Sequence, residues 1–338
     1  MSETKTKKTR KASKKLDKVS VITTFYNAEK FILDAINSVN QQFIDKDKFE
    51  LEYILVDDKS EDNSRKLVEG FIERHGNKDI EFRIIEPDEN LGCGGARKFG
   101  IDNAKGDYFM FLDADDYYLK KDFVLRAYND ITSENADIVE YGMVMHSAGS
   151  AANNIVAPHK IIIEDKPEQA LVALFKDNLI KFNIWCKIYN RKTIESFEYS
   201  TSRTYEDVRT IPVWISKASK IVIMPSLEIN YRAATGSIIR TDMINTRVGT
   251  ITAIAELFPR FKDMFSVLKA MYQRSMVDLE AVLHNHSSND DGFNEMSKLN
   301  TYMLSFILKN WRDVTYDITK ETDGSNANPK DLIKDIKL

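Results

Sequence analysis

The sequence predicts an α/β protein, a mostly parallel sheet flanked by helices, with a helical C-terminal region. Two observations carry that prediction. Apolar, β-branched runs alternate four times with segments of helical spacing, and the connections are short; a parallel sheet covered on both faces has that pattern. The polar clusters fall at the carboxyl ends of the strands, where such sheets bind ligands.

Val19-Ser20-Val21-Ile22-Thr23-Thr24 is a β-branched run that reads as a buried strand. Residues 28–43 place Phe31, Ile32, Ala35, Ile36, Val39 and Phe43 at helical spacing. Glu52-Tyr53-Ile54-Leu55-Val56-Asp57 is a second strand, running into the polar turn 58–63. A helix over 63–75 follows, with Leu67, Val68 and Phe71 on one face, then a third strand, Phe82-Arg83-Ile84-Ile85. The Gly-rich stretch 92–95 opens a helix over 96–104. Tyr108-Phe109-Met110-Phe111-Leu112 is the fourth strand and ends in Asp113-Ala114-Asp115-Asp116. Residues 137–145 and 160–164 read as further strands, and 167–181 as a helix. Residues 246–310 carry helical stripes such as Ile251, Ile254, Leu257 and Phe258; 319–330 read as a polar turn before a short last helix. There is no internal repeat and no Pro-rich linker. A soft boundary near 240 gives three regions: a basic tail (1–18), an α/β domain (19–240) and a helical region (241–338).

With 338 residues, 43% of them hydrophobic, the chain can build one large domain or two. Its 48 Lys and Arg against 52 Asp and Glu leave a net charge of −4, no coat for nucleic acid or membrane. The tail is the exception. Its eight cations and two acids sum to +6, so the rest of the chain carries −10. It has almost no large apolar side chain and is expected to be disordered. Two cysteines, Cys93 and Cys186, read as reduced thiols and are too few for a zinc site. His146, His159, His284 and His286 read as surface residues. No run approaches the ~20 apolar residues of a membrane span, and the N-terminus lacks the apolar run of a signal peptide. The expectation is a soluble cytoplasmic protein.

Several clusters can carry chemistry. Asp113 and Asp115, two apart at a strand end, suit a hard divalent cation with oxygen ligands bridging to a diphosphate. Alone, the pair also reads as an acidic surface turn. Asp57-Asp58 can accept hydrogen bonds from a base or ribose, or sit in an ordinary turn. Asn90-Leu91-Gly92-Cys93-Gly94-Gly95-Ala96-Arg97 brings glycines to a helix start, a weak phosphate cradle. It is neither G-x-G-x-x-G with its acid nor a P-loop. Arg97 adds a fixed cation for a phosphate or an aspartate. Glu206-Asp207 offers a general base and equally an N-cap for a helix over 207–217. Trp185-Lys187 and Tyr231-Arg232 are aromatic–basic pairs whose plain reading is core packing with extended cations.

In order along the chain, these pieces resemble the family 2 glycosyltransferases, inverting enzymes of the GT-A fold that use nucleotide sugars. The resemblance rests on Val21–Asn27, Val56–Ser64, Asn90-Leu91-Gly92 with Ala96-Arg97 and Gly100, Ala104–Tyr108 and Phe111–Asp116. Tyr205-Glu206-Asp207-Val208 and Tyr231-Arg232 with Ser237-Ile238 are similar to distal motifs of the branch that builds bacterial surface polysaccharides. The resemblance covers roughly 19–240 and departs from the family pattern at Thr24, Lys59 and Lys98.

It implies a donor, a UDP-sugar by family frequency, held by Thr24, Tyr26, Asn27, Asp57, Asp58, Arg97, Asp113, Arg232 and Ser237. Asp113 and Asp115 would hold Mn²⁺ or Mg²⁺. Asp207 would be the catalytic base with Glu206 beside it, and Trp185 and Lys187 would border the acceptor. The acceptor would be a glycan, a lipid-linked glycan or a modified DNA base. In the last case the basic tail would hold the duplex; the tail also suits peripheral association with an anionic membrane. The rival readings are a nucleotidyltransferase, whose early Gly-rich signature is missing, and a binding module that works through the tail.

Overall fold

The computed structural model describes residues 15–147, 152–195, 198–233 and 243–283, with a few positions between 297 and 305. Residues 1–14 of the tail, Ser237, Ile238, His284, His286 and the segment 319–330 lie outside the described residues.

The chain is an α/β protein on a central, mostly parallel sheet flanked by helices. Its first half runs β1 (Asp17–Phe25), α1 (Ile32–Asn40), β2 (Phe49–Asp57), α2 (Ser64–His75), β3 (Ile80–Ile85), α3 (Gly92–Asn103) and β4 (Tyr108–Phe111). Then come β5 (Tyr117–Tyr118), α4 (Phe123–Ser133), β6 (Ile138–Ser147), β7 (Asn153–Ile155), β8 (Ile161–Glu164) and α5 (Pro167–Phe175). Next are β9 (Lys187–Asn190), α6 (Arg191–Glu195), α7 (Glu206–Ile215) and β10 (Lys220–Ala233). The last described elements are α8 (Met243–Leu257), a 3-10 turn (Phe258–Phe261) and α9 (Phe265–Leu283).

The strand order is β3-β2-β1-β4-β9-β6-β10-β5, with β7 on β6 and β8 on β10. The four strands read from the sequence pair in parallel, β3 on β2, β2 on β1 and β1 on β4. The antiparallel pairings lie beyond β4, where β9 enters against β4 and β6. β1 and β2 are buried on both faces, so their apolar runs are continuous, as central parallel strands require. α1 buries Ile32, Ala35, Ile36 and Val39 at helical spacing.

Some boundaries differ from expectation. β1 starts at Asp17, inside the stretch read as tail. Asp17 accepts a hydrogen bond from the Tyr128 hydroxyl at 2.8 Å, and Lys18 pairs with Glu81 at 2.8 Å. The helix expected over 167–181 stops at Phe175; Asn178 is left-handed and the Leu179 N–H turns back to the Ala173 carbonyl. Both cysteines are free thiols.

Candidate active site

The carboxyl ends of β1, β2 and β4 lie side by side. Phe25 registers with Asp57, and the Asp58 N–H donates to the Phe25 carbonyl at 2.9 Å. Thr24 is half-buried at the end of β1, and Tyr26 stands 49% exposed at the rim. Asn27 takes a left-handed backbone, and its Oδ1 accepts from the Glu61 and Asp62 amides at 2.8 and 3.2 Å. Asp57 accepts from the Ser60 amide at 2.9 Å and lies 3.6 Å from Arg65. Asp58 receives the Leu91 amide at 2.7 Å and the Gly92 amide at 2.8 Å. Burial raises its carboxyl pKa against those two bonds. Asn27 and Asp58 therefore spend polar atoms on backbone and set the shape of the pocket wall.

The glycine stretch behaves differently from expectation. α3 starts at Gly92, not at residue 96, and its glycines form a bare face for the chain entering α7. A Cβ at Gly94 would lie 2.3 Å from the Ser202 carbonyl oxygen and 2.7 Å from that of Ser200. Gly92 (φ +71°) faces Arg203, whose guanidinium donates to the Asn90 carbonyl and side-chain oxygens, each at 2.8 Å. The stretch read as a phosphate cradle is thus a seat for residues 200–203.

Beyond β4, carboxylate oxygens of Asp113, Asp115 and Asp116 all lie within 4.8 Å of one another. Burial, then the Asp113 charge, pushes the Asp115 carboxyl up to about 6. Burial, with Asp113 and Asp115, pushes Asp116 up to about 9. Asp116 Oδ1 accepts from the Arg232 amide at 2.8 Å, while its buried Oδ2 has no partner among the described residues. Crowded, desolvated carboxylates with an orphaned oxygen resist ionisation until a cation neutralises them. An all-oxygen donor set suits Mg²⁺ or Mn²⁺, so these residues fit the ion. Spacing along the sequence points to Asp113 and Asp115 and passes over Asp116. Its signal was adjacency, because a chain that leaves the pleat no longer alternates its faces.

Arg97 joins this cluster to α7. One guanidinium nitrogen pairs with Asp113 and the other with Glu206. Burial opposes its charge, but Asp113, Glu206 and neighbouring groups hold its pKa well above the ordinary value. Glu206 and Asp207 open α7 after a left-handed Tyr205 (φ 57°). Tyr205, at the N-cap position, makes no side-chain capping bond. Asp207 Oδ1 accepts the Val208 amide at 2.7 Å, and its carboxylate sits at the positive end of the helix. Burial, then the Glu206 charge, pushes Asp207 up to about 7, with Arg97 opposing. Asp207 remains partly exposed, so this carboxyl is both tuned and reachable. Cys93 Sγ lies 3.4 Å from Glu206, and desolvation of the thiol, with the Glu206 and Asp113 charges, raises its pKa.

The acceptor residues come out unevenly. Lys187 is a correction. It is 1% exposed, its ammonium lies 3.1 Å from Glu140, and it donates to the Lys181 and Asn183 carbonyls at 2.7 and 2.6 Å. An ammonium so enclosed cannot border a sugar. Trp185 is 4% exposed and stacks on Tyr231 at 5.2 Å. Arg232 pairs with Asp34 at 2.5 Å and lies over the Tyr117 ring at 4.9 Å, at the edge of the acidic cluster. Among the described residues, no helix is long and apolar enough to cross a membrane.

Known proteins resemble this chain in sequence and fold. The family model "Glycosyl transferase family 2" matches residues 20–196. The teichoic acid poly(glycerol phosphate) polymerase of Staphylococcus epidermidis is 25% identical, over 94% of this chain and 49% of its own length. The chain thus spans about half of that relative. Glycosyltransferase GlyG of Streptococcus pneumoniae is 25% identical, over 80% of this chain and 91% of its own. Among solved structures, TarS of S. aureus in complex with UDP-GlcNAc superposes with a TM-score of 0.60 at 16% identity, covering 90% of this chain and 92% of that one. The mannosyltransferase PcManGT from Pyrobaculum calidifontis, in complex with GDP-Man and Mn²⁺, gives 0.54 at 16% identity, with 88% of each chain covered. The fold is the GT-A type that the resemblance implied, and the family model spans more than half of the chain. The chain belongs to glycosyltransferase family 2.

Proposed function

We propose that this protein moves a sugar from a UDP-sugar to a hydroxyl of a cell-surface polymer, in one displacement that inverts the anomeric centre. The observation that carries the proposal is Asp207. It is a partly exposed carboxyl held near neutrality at a helix N-terminus, tied through Glu206 and Arg97 to the acidic cluster. An acceptor hydroxyl is a poor nucleophile, and a carboxylate that titrates near the working pH is suited to take its proton. A single displacement needs no covalent nucleophile.

On this reading Thr24, Tyr26 and Asp57 receive the uracil and ribose at the ends of β1 and β2. Asp113 and Asp115, with Asp116 behind them, would hold Mn²⁺ or Mg²⁺. That ion would offset the charge that develops on the departing diphosphate. Arg97 keeps Asp113 and Glu206 apart and oriented, and Arg232 stands ready at the diphosphate side. TarS, named a poly(ribitol-phosphate) β-N-acetylglucosaminyltransferase, is 28% identical over 60% of this chain. It supports UDP-GlcNAc as the first donor to try and a polyol-phosphate polymer as the first acceptor. A modified DNA base as acceptor draws no support from relatives named for surface-polymer synthesis.

The test is a thermal-shift panel of UDP, GDP, CDP and dTDP with and without Mn²⁺, followed by UDP release from UDP-GlcNAc with poly(ribitol phosphate). A ligand that binds only the native state raises the melting temperature. A metal-dependent shift with UDP alone is expected. A folded protein that responds to none of the four nucleotides would sink the proposal.

A further inference from the structure

The helical region after β10 supplies none of the residues above, yet it touches the chain one residue before Glu206. We infer that Gly249 on α8 is a positioning residue. It seats the Tyr205 ring and thereby sets how α7 presents Glu206 and Asp207. The inference rests on the reading of Asp207 as the base.

Three observations carry it. Tyr205 adopts a left-handed backbone (φ 57°) at the first corner of α7. A bulky residue holds that conformation only where its surroundings over-determine it. A Cβ on Gly249 would stand 2.0 Å from Tyr205 Cε2, 2.6 Å from Cζ and 2.7 Å from Cδ2. The ring therefore occupies the space that any other residue at 249 would need. Farther along both helices, Arg209 grips Glu256 with two nitrogens, at 2.7 and 3.2 Å. The ring seat and this clamp fix α7 against α8 at two points.

The other side is held as well. Residues 200–203 lie on the glycine face of α3, where Gly94 admits the Ser200 and Ser202 carbonyls. The turn that delivers Glu206 and Asp207 is thus gripped between bare backbone on α3 and bare backbone on α8. If the ring leaves its seat, the left-handed corner relaxes and Asp207, two residues on, shifts against the acidic cluster. Small misplacements of a catalytic group cost on the order of 100-fold in rate. Thr24, Tyr26 and Asp57 stand at the strand ends, and the acidic cluster meets α7 through the Arg97 guanidinium bound to Glu206, so nucleotide binding should change less than transfer.

The experiment uses the full chain and compares Gly249→Ala, Tyr205→Ala and the double variant by amide hydrogen exchange, by calorimetric binding of UDP with Mn²⁺, and by transfer from UDP-GlcNAc to poly(ribitol phosphate). Gly249→Ala is expected to speed exchange over residues 205–209 at least tenfold and to leave β1 and β4 unchanged. UDP affinity stays within twofold, while kcat falls roughly 10- to 100-fold. Tyr205→Ala removes all three clashing atoms, so in that background Gly249→Ala should change nothing further. Unchanged exchange over 205–209, additive effects in the double variant, or a loss of UDP affinity that parallels kcat would each overturn the inference. Asp207→Asn separates it from the reading beneath. If that variant keeps transfer, the base assignment fails. If it loses transfer while Gly249→Ala retains wild-type kcat and exchange, only the role of Gly249 fails.

Discussion

Asp207→Asn should abolish transfer and, at the same time, stabilise the fold, with the gain confined to neutral and alkaline pH. The wild-type carboxyl is pushed from 3.8 up to about 7, by burial first and the Glu206 charge second. About three units at 1.36 kcal/mol each set a ceiling of about 4 kcal/mol. Asp207 is partly exposed, and water screening brings the working figure to about 2 kcal/mol. The sign follows from linkage: the folded state holds this proton more tightly than the unfolded chain does. Below about pH 4 both states are protonated and the group costs nothing; between about 4 and 7 the cost grows; above about 7 it is complete. Asn is nearly isosteric and neutral throughout. The variant should therefore match wild type near pH 4 and exceed it by about 2 kcal/mol near pH 8. Urea unfolding at three pH values and constant ionic strength measures the difference. Wild-type transfer should rise with pH about a midpoint near 7, since only the carboxylate can accept the hydroxyl proton. A variant no more stable than wild type near pH 8, or equally stabilised near pH 4, would refute the reasoning.

Three other substitutions probe the remaining parts of the site. Arg97→Met leaves Glu206, whose side chain is 8% exposed, as an unpaired buried charge, at a cost of about 3–5 kcal/mol. Asp113, at 28%, is solvated and adds less than about 1 kcal/mol. Adding Glu206→Gln should recover more than about 1 kcal/mol in urea titrations, and strictly additive losses would contradict the bridge. Asp115→Ala should weaken Mn²⁺-dependent UDP binding at least tenfold, or about 1.4 kcal/mol, by calorimetry; an unchanged affinity would remove Asp115 from the metal site. Gly94→Ala sets a methyl against backbone carbonyls that cannot rotate away, so a loss of about 1–3 kcal/mol in unfolding free energy is expected. Wild-type stability would show that the 200–203 seat is looser than its geometry.

The parallel half of the sheet was legible because its signal is local. β1 and β2 are buried on both faces, and their apolar runs announce it. The acids after β2 and β4 were legible for the same reason: a carboxylate that follows a buried run must lie at a sheet edge. β9 was not legible. It is four residues long, Lys187–Asn190, and enters antiparallel between β4 and β6, a placement that no local periodicity encodes. Lys187 was misjudged with it. A lysine beside a tryptophan reads as an extended cation, and only the pairing of β9 with β6 shows that Glu140 waits opposite. The glycines of α3 misled differently. Glycine reports close approach without naming what approaches, and the partner, residues 200–203, lies about a hundred positions on.

What remained hidden in the sequence is the joint between the two halves of the site. Asp113 follows β4, Arg97 lies on α3 and Glu206 opens α7; each is ordinary alone. Together they place one guanidinium between a residue of the acidic cluster and the neighbour of Asp207. Arg97 cannot lose its proton in the working range, so the link persists at every pH at which Asp207 titrates. The acidic cluster and the Glu206–Asp207 pair are therefore not independent clusters that happen to share a cleft. A change in charge at Asp113 acts on the carboxylate beside Asp207 through a fixed, buried cation. The arrangement accounts for two sequence features at once: a charged residue inside a glycine-rich helix start, and a pair of adjacent acids at a helix N-terminus. Both are needed to bring one cation and two carboxylates together where the sheet ends.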